Sequence, residues 1–164
     1  MINDDSYEFY NYIPESVHSE VEDYTRINKE YIKDYGKEPF VINIKNATLE
    51  NKNFRTALWT GDHLQITLMN IDVGECIGLE RHENVDQFIR IEHGYGLVEM
   101  GDEKDNLNFK KKVYDDFAFV IPAGKWHNLT NIGNVPIKLY SIYAPPNHPK
   151  GTVNVDKPLE DNHD

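Results

Sequence analysis

The chain has a single cysteine, Cys76, among its 164 residues. One thiol cannot form an internal disulfide, and it is typical of a reducing compartment, so we expect a cytoplasmic location. There is also no run of about 18 apolar residues, the length that a membrane helix requires. The acidic, polar start MINDDSYEFYNY is typical of neither a signal peptide nor a transit peptide. We therefore expect no membrane partner.

Basic residues are scarce as well, with 17 Lys and Arg against 28 Asp and Glu, and a formal net charge of −11. Such a surface repels phosphate backbones, so we expect no nucleic-acid partner. The sequence has no Ser-His-Asp order, no glycine-rich phosphate loop and no cysteine pair. Nucleophilic catalysis and nucleotide binding are therefore without support.

Residues 1–37 form an acidic segment followed by a predicted helix. Ser16 is a candidate N-cap, Gly36 is a natural stop, and one apolar stripe joins Val17, Val21, Tyr24, Ile27 and Tyr31. Two roles stay open for this helix. It packs on the outside of the following domain, or it serves as a dimerisation arm.

From Phe40 onwards, short apolar runs alternate with turn signals. The predicted strands are Phe40–Ile44, Thr56–Thr60, Leu64–Asp72, Cys76–His82, Gln87–Ile91, Gly96–Met100, Lys112–Tyr114, Phe117–Ile121, Asn128–Asn131 and Ile137–Tyr143. Many short antiparallel strands predict an all-β sandwich or barrel, here over residues 38–155. Residues 156–164 form a tail, and the prolines between residues 145 and 158 place that stretch on the surface.

Two polar clusters interrupt this pattern. In an extended chain residues i and i+2 point to the same face, so Glu80 and His82 project together. A hairpin through residues 83–86 brings Gln87 back beside them. The second cluster contains His127 and follows the strand that ends at Ile121. Two strands that each end in an inward histidine could share one ion.

These two clusters resemble the paired motifs of the cupin superfamily. The first motif is Gly-x5-His-x-His-x3,4-Glu-x6-Gly, and Gly74, His82 and Gly94 match it. The second is Gly-x5-Pro-x-Gly-x2-His-x3-Asn, and the chain matches it at Pro122, Gly124, His127 and Asn131. Three positions depart: Glu80 replaces a His, Gln87 replaces the Glu, and Asp116 replaces the opening Gly of the second motif. The wider stretch, residues 38–155, is similar to small single-domain bacterial cupins, often labelled mannose-6-phosphate isomerase-like.

The resemblance implies a double-stranded β-helix, the cupin jelly roll, with an N-terminal helix. It also implies a divalent metal, Zn, Fe, Mn or Ni, held by Glu80, His82, Gln87 and His127. Such a protein acts on a small polar molecule inside the barrel, as a sugar isomerase or a dioxygenase, and Glu80 is the one ligand that could also serve as a catalytic base. The alternative is a non-catalytic cupin that binds a metal or metabolite and has a sensing or scaffolding role.

Two further expectations concern charge and assembly. The cations near the motifs are Arg55, Arg81, Arg90 and Lys125, and strand alternation turns Arg81 and Arg90 away from the cavity. We expect a homodimer, since closed two-fold dimers are the commonest assembly and cover sheet edges.

Overall fold

Nine β-strands and one short helix make up the regular structure of residues 33–159, the part of the chain that the computed structural model describes. The helix is α1 (Ile44–Glu50). The strands are β1 (Arg55–Thr60), β2 (Gln65–Ile71), β3 (Asp86–His93), β4 (Tyr95–Gly101), β5 (Phe109–Tyr114), β6 (Ala118–Ile121), β7 (Trp126–Asn131), β8 (Ile137–Ala144) and β9 (Val153–Asn154). The helix predicted to start at Ser16 lies outside the described residues, apart from residues 33–35, which are not helical. Within residues 33–159 no helix has the length and apolarity to cross a membrane.

The strands form two antiparallel sheets. The larger has the order β6-β3-β8-β2-β1-β9, and the smaller has the order β5-β4-β7. Isolated bridges from Cys76 to Thr130 and from Glu80 to His127 place residues 76–80 along the free side of β7. The predicted strand Cys76–His82 is thus reduced to two bridges, because Gly78 between them has a φ of +100° and interrupts the extended backbone. The two packed sheets form the predicted jelly roll.

Cross-strand register decides which side chains face the inside, since directly paired residues share a face. Gln65 pairs with Tyr143, Thr67 with Ser141, and Met69 with both Leu139 and Arg55. The inner face of the larger sheet is therefore apolar at one end and polar at the other. Its apolar end packs against the smaller sheet in one core, which includes Ile71, Ile89, Ile91, Val98, Met100, Leu129, Ile137 and Leu139.

The outer face of the larger sheet is covered by α1 and the chain before it. Ala47 of α1 packs with Leu58 and Leu68 in a second, smaller cluster, with Phe40 and Ile42 against it. The predicted strand Phe40–Ile44 is wrong. The side chain of Asn43 accepts a hydrogen bond from the amide of Asn46 at 3.1 Å, which caps a helix at this point and ends the extended segment.

Candidate metal centre

The site is built on one backbone pairing between Glu80 and His127. The amide of Glu80 donates to the carbonyl of His127 at 3.1 Å, and the amide of His127 donates to the carbonyl of Glu80 at 2.9 Å. In an antiparallel pair of this kind the two side chains leave the sheet on the same face. His127 lies in β7 with its side chain 1% exposed, so this face is the interior of the barrel.

His82 is placed by two contacts between the loops that carry the motifs. The amide of Gly124 donates to the carbonyl of His82 at 2.8 Å, and the amide of Ala123 donates to Oδ1 of Asp86 at 2.9 Å. These bonds hold the segment after Glu80 against the loop before β7. The imidazoles of His82 and His127 then lie with ring centroids 5.3 Å apart.

The donor atoms of the three residues converge. Oε1 of Glu80 lies 3.4 Å from Nε2 of His82 and 3.4 Å from Nε2 of His127, and all three side chains offer a ligand atom within 4.8 Å of one another. Ligands at about 2.0–2.2 Å around a tetrahedral ion place their donor atoms about 3.3–3.6 Å apart. Both Nε2 atoms are buried and make no hydrogen bond. The three residues therefore fit a divalent metal ion.

The tautomer of His127 agrees with this fit. Its Nδ1 lies 2.9 Å from the carbonyl oxygen of Lys125, an acceptor that requires a proton on that nitrogen. Nε2 is then unprotonated in the neutral ring, and its lone pair points towards Glu80. In metal-binding histidines, the ring nitrogen that does not bind the metal usually donates a hydrogen bond to a carbonyl or carboxylate in this way.

Glu80 is anionic at neutral pH. Burial raises the pKa of its carboxyl group, but His127 and His82 in their protonated forms, as hydrogen-bond donors and as positive charges, outweigh that effect and hold the pKa well below its usual value. A divalent ion held by the two imidazoles would favour the carboxylate in the same way. One carboxylate with two imidazoles is the ligand set of many zinc and non-haem iron sites. The structure thus brings together three of the four residues predicted from the sequence.

Gln87, the fourth predicted ligand, lies in β3 on the inner face, paired with Tyr143. It is 2% exposed, and its Nε2 donates to Oγ of Ser141 at 2.9 Å. That bond turns the amide oxygen the other way, and Oε1 is buried without a hydrogen bond. The amide oxygen is thus available as a ligand atom at the polar end of the barrel, and its role as a metal ligand stays a prediction.

Sequence reasoning missed a tyrosine–histidine pair beside these residues. Oη of Tyr143 lies 3.3 Å from Nε2 of His148, and the Tyr143 ring packs edge-on against His82 at 5.9 Å. His148 was expected on the surface, but the loop after β8 folds back over the barrel. Burial, followed by the charge of Arg55, lowers the pKa of His148 to about 4, so its imidazole is neutral at physiological pH.

Gln65 holds that loop. Its Nε2 donates to Oγ1 of Thr60 at 2.9 Å and to the carbonyl of His148 at 2.8 Å, and its Oε1 accepts from the amides of Asn147 and His148 at 3.2 and 2.9 Å. All four hydrogen-bonding positions of the amide are used. Gln65 and Thr67 are fully buried, so the polar positions of β2 face the inside of the barrel.

The expected orientation of two cations is confirmed. Arg81 pairs with Glu83 and lies over the ring of Trp126 at 5.1 Å, outside the barrel. Arg90 pairs with Glu92 and Asp116 at 2.9 and 2.8 Å, also on the outside.

The glycine positions of the two motifs share one backbone property. Gly74, Gly94 and Gly124 have φ values of +79°, +110° and +81°, and Asp116, where the second motif has its opening glycine, has a φ of +71°. Asp is among the residues that best tolerate this region. The departure at Asp116 therefore changes the residue and keeps the left-handed turn.

A model of the Cupin domain matches residues 67–156, more than half of the chain, and the chain therefore belongs to the cupin superfamily. The resemblance drawn from the two motifs is confirmed. The mannose-6-phosphate isomerase-like label stays a prediction.

Three similar proteins lie close to this chain. The uncharacterized protein YrkC of Bacillus subtilis (strain 168) is 65% identical over 126 residues, which cover 77% of this chain and 68% of that protein. The uncharacterized protein L612 of Acanthamoeba polyphaga mimivirus is 38% identical over 120 residues, 73% of each chain. The crystal structure of BH2720 from Bacillus halodurans superposes with a TM-score of 0.76 at 61% identity, covering 77% of this chain and 96% of that one.

Proposed function

We propose that this protein is a divalent-metal-dependent enzyme that acts on a small polar molecule inside the barrel. The observation that carries the proposal is the convergence of Glu80, His82 and His127, with one carboxylate oxygen 3.4 Å from each Nε2. When bound there, a divalent ion supplies Lewis acidity towards a substrate oxygen. The donor set suits two reaction types, a sugar isomerase with zinc and a dioxygenase with iron, manganese or nickel.

The other residues at the polar end have definable tasks. The carbonyl of Lys125 fixes the orientation of His127, and Ser141 fixes that of Gln87, whose amide oxygen completes or gates the fourth position. Neutral His148 accepts a hydrogen bond from Tyr143 Oη, and the Tyr143 ring packs against His82, so the pair lies beside the candidate metal centre. Glu80 is the carboxylate that could take a proton from substrate.

The test is a metal-by-substrate screen on protein freed of metal with a chelator. Separate samples receive Zn(II), Fe(II), Mn(II) or Ni(II), and each is assayed for oxygen uptake and for interconversion of free and phosphorylated sugars. The proposal predicts turnover with at least one metal and its loss in His82→Ala and His127→Ala. The exposed His63 offers a matched control, because it takes part in none of these contacts, and His63→Ala should keep full turnover.

Metal binding without turnover on any substrate would contradict the enzyme and favour a binding or sensing cupin. The proposed assembly is a homodimer, since β5 and β6 are free edges of the two sheets within the described residues. Mass measured in solution on the full chain tests that part separately, and a monomer at micromolar concentration would contradict it.

A further inference from the structure

Arg55 is a buried cation on the inner face of the barrel. It begins β1, pairs with Met69, and is 7% exposed. Its Nε is buried and has no hydrogen-bond partner, Nη1 has a long contact of 3.5 Å to Oδ1 of Asn154, and the guanidinium carbon lies 5.3 Å from the centroid of the Phe54 ring. Buried polar groups of folded proteins are almost always paired, and an unpaired buried charge is especially costly.

The other cations near the motifs differ from Arg55 in their partners. Arg81, Arg90 and Lys125 each form an ion pair with at least one carboxylate at the surface. No carboxylate among residues 33–159 lies within ion-pair distance of Arg55. The guanidinium thus carries its charge in the interior without a counter-charge from this part of the chain.

Arg55 lies next to the polar end of the barrel, where the proposed metal centre is. Ala57, two residues further along β1 on the same face, pairs with Thr67, and Thr67 pairs with Ser141. The hydroxyl of Ser141 accepts the hydrogen bond from Gln87, the fourth predicted ligand.

Unpaired polar atoms are concentrated in this region. Seven buried side-chain atoms of the described residues lack a hydrogen bond, and five of them belong to inner-face or metal-centre residues: Arg55, Thr67, His82, Gln87 and His127. Thr67 of β2 pairs with Ala57 of β1, and Ala57 lies two residues from Arg55 on the same face of the sheet. The Nε–H of Arg55 and the hydroxyl of Thr67 can both donate a hydrogen bond, and they lie on neighbouring strands.

We propose that Arg55, with Thr67, binds the carboxylate of a small organic acid whose other oxygen atoms face Glu80, His82 and His127. This inference rests on the proposed function and names the substrate class, an oxygenated carboxylic acid. A single guanidinium matches the single charge of a carboxylate in a planar, two-point contact. A phosphate monoester carries nearly two charges, and the other three cations of the motifs face outwards and are already paired.

The experiment measures anion binding to the full chain by titration calorimetry and thermal denaturation. The probes are acetate, L-lactate, malonate and gluconate, with lactamide as the uncharged match of lactate, and inorganic phosphate and glucose 6-phosphate as the competing class. At least one carboxylate should bind and raise the melting temperature, while lactamide should not. The Arg55→Gln variant should bind that carboxylate about tenfold to a hundredfold more weakly, the usual effect of losing a charge-assisted hydrogen bond.

Two variants serve as controls. Arg55→Lys keeps the charge without the planar fork and should recover part of the affinity, and Arg90→Gln removes a surface arginine and should leave binding unchanged. Circular dichroism of Arg55→Gln checks its fold, which should persist because removing an uncompensated buried charge carries little penalty. Equal carboxylate affinity in wild type and Arg55→Gln, tighter binding of phosphates, or no binding of any carboxylate would overturn the inference.

Repeating the titration on chelator-treated His82→Ala/His127→Ala protein separates the two proposals. If the double variant still binds the carboxylate, and adding Arg55→Gln to it weakens that binding, the anion position is supported even when the wild type binds no metal. Metal binding by the wild type together with indifference to Arg55→Gln refutes the anion position alone.

Discussion

Replacing Gln65 by leucine tests whether a buried amide holds the loop over the site. Gln65 is fully buried, and its side chain makes four hydrogen bonds, two of them to the backbone of His148. Leucine has a similar volume and none of these bonds, so the substitution removes the hydrogen bonds with little change in packing volume.

The magnitude follows from those four bonds. Each contributes about 0.5–1.5 kcal/mol net, which gives about 2–6 kcal/mol if all are lost without replacement. The loop amides regain water when the loop lifts, and the hydroxyl of Thr60 keeps its 2.5 Å bond to Asp34. We therefore expect Gln65→Leu to lower the free energy of unfolding by about 2–4 kcal/mol.

Two assays check this prediction. Urea denaturation gives the stability change, and a histidine NMR titration follows His148, whose pKa should rise from about 4 towards its usual value as burial is lost. Asn70→Leu is the control, because Asn70 lies on the same strand with an exposed bond to Asp72 and should change stability by less than about 0.5 kcal/mol. A Gln65→Leu protein within 1 kcal/mol of wild type and with an unchanged His148 pKa would refute the reasoning.

Three further predictions concern stability. Asn131→Ala should cost about 2–4 kcal/mol in urea denaturation, because buried Asn131 donates to the carbonyls of Ile71 and Val135 and accepts from the amide of Gly133. Asp34 accepts four hydrogen bonds that lower its pKa although burial raises it, so its stabilisation is present above pH 4 and is lost as the pH falls through the lowered pKa. Asp116→Gly should raise stability by about 0.5 kcal/mol, since glycine adopts the φ of +71° without strain.

Each of these has its own contrary result. An Asn131→Ala protein as stable as the control Asn128→Ala would show that the three bonds contribute nothing. For Asp34, the stability gap between wild type and Asp34→Asn should shrink from pH 6 to pH 3, and a constant or widening gap contradicts the sign. For Asp116, alanine keeps the strain and loses the exposed pair with Arg90, so an alanine variant more stable than the glycine variant contradicts the argument.

The sequence predicted the barrel well because turn residues and short apolar runs recur along it. Eight of the predicted strands overlap observed ones, with bounds that differ by up to three residues. The short strand β9 (Val153–Asn154) was not predicted, and two predicted strands fail for local reasons. Asn43 caps a helix, and Gly78 takes a positive φ, and neither effect is visible in the alternation of apolar residues.

Three residues of the candidate metal centre were predictable because a strand places Glu80 and His82 on one face and the second motif supplies an inward histidine, His127. The Tyr143–His148 pair was not, since it depends on a loop that folds back over the barrel. That loop is held by Gln65, a fully buried polar residue of β2. A polar residue at an inward position of a barrel strand signals a polar interior, and only the register shows that the position is inward.

The central claim is that Glu80, His82 and His127 hold a divalent ion. The most direct test is elemental analysis of protein purified without chelators or a histidine tag, beside the His82→Ala/His127→Ala double variant and the His63→Ala control. The account predicts about one divalent ion per chain in wild type and His63→Ala and none in the double variant. Metal-free wild type that no divalent ion stabilises, or metal retained in the double variant, would contradict it.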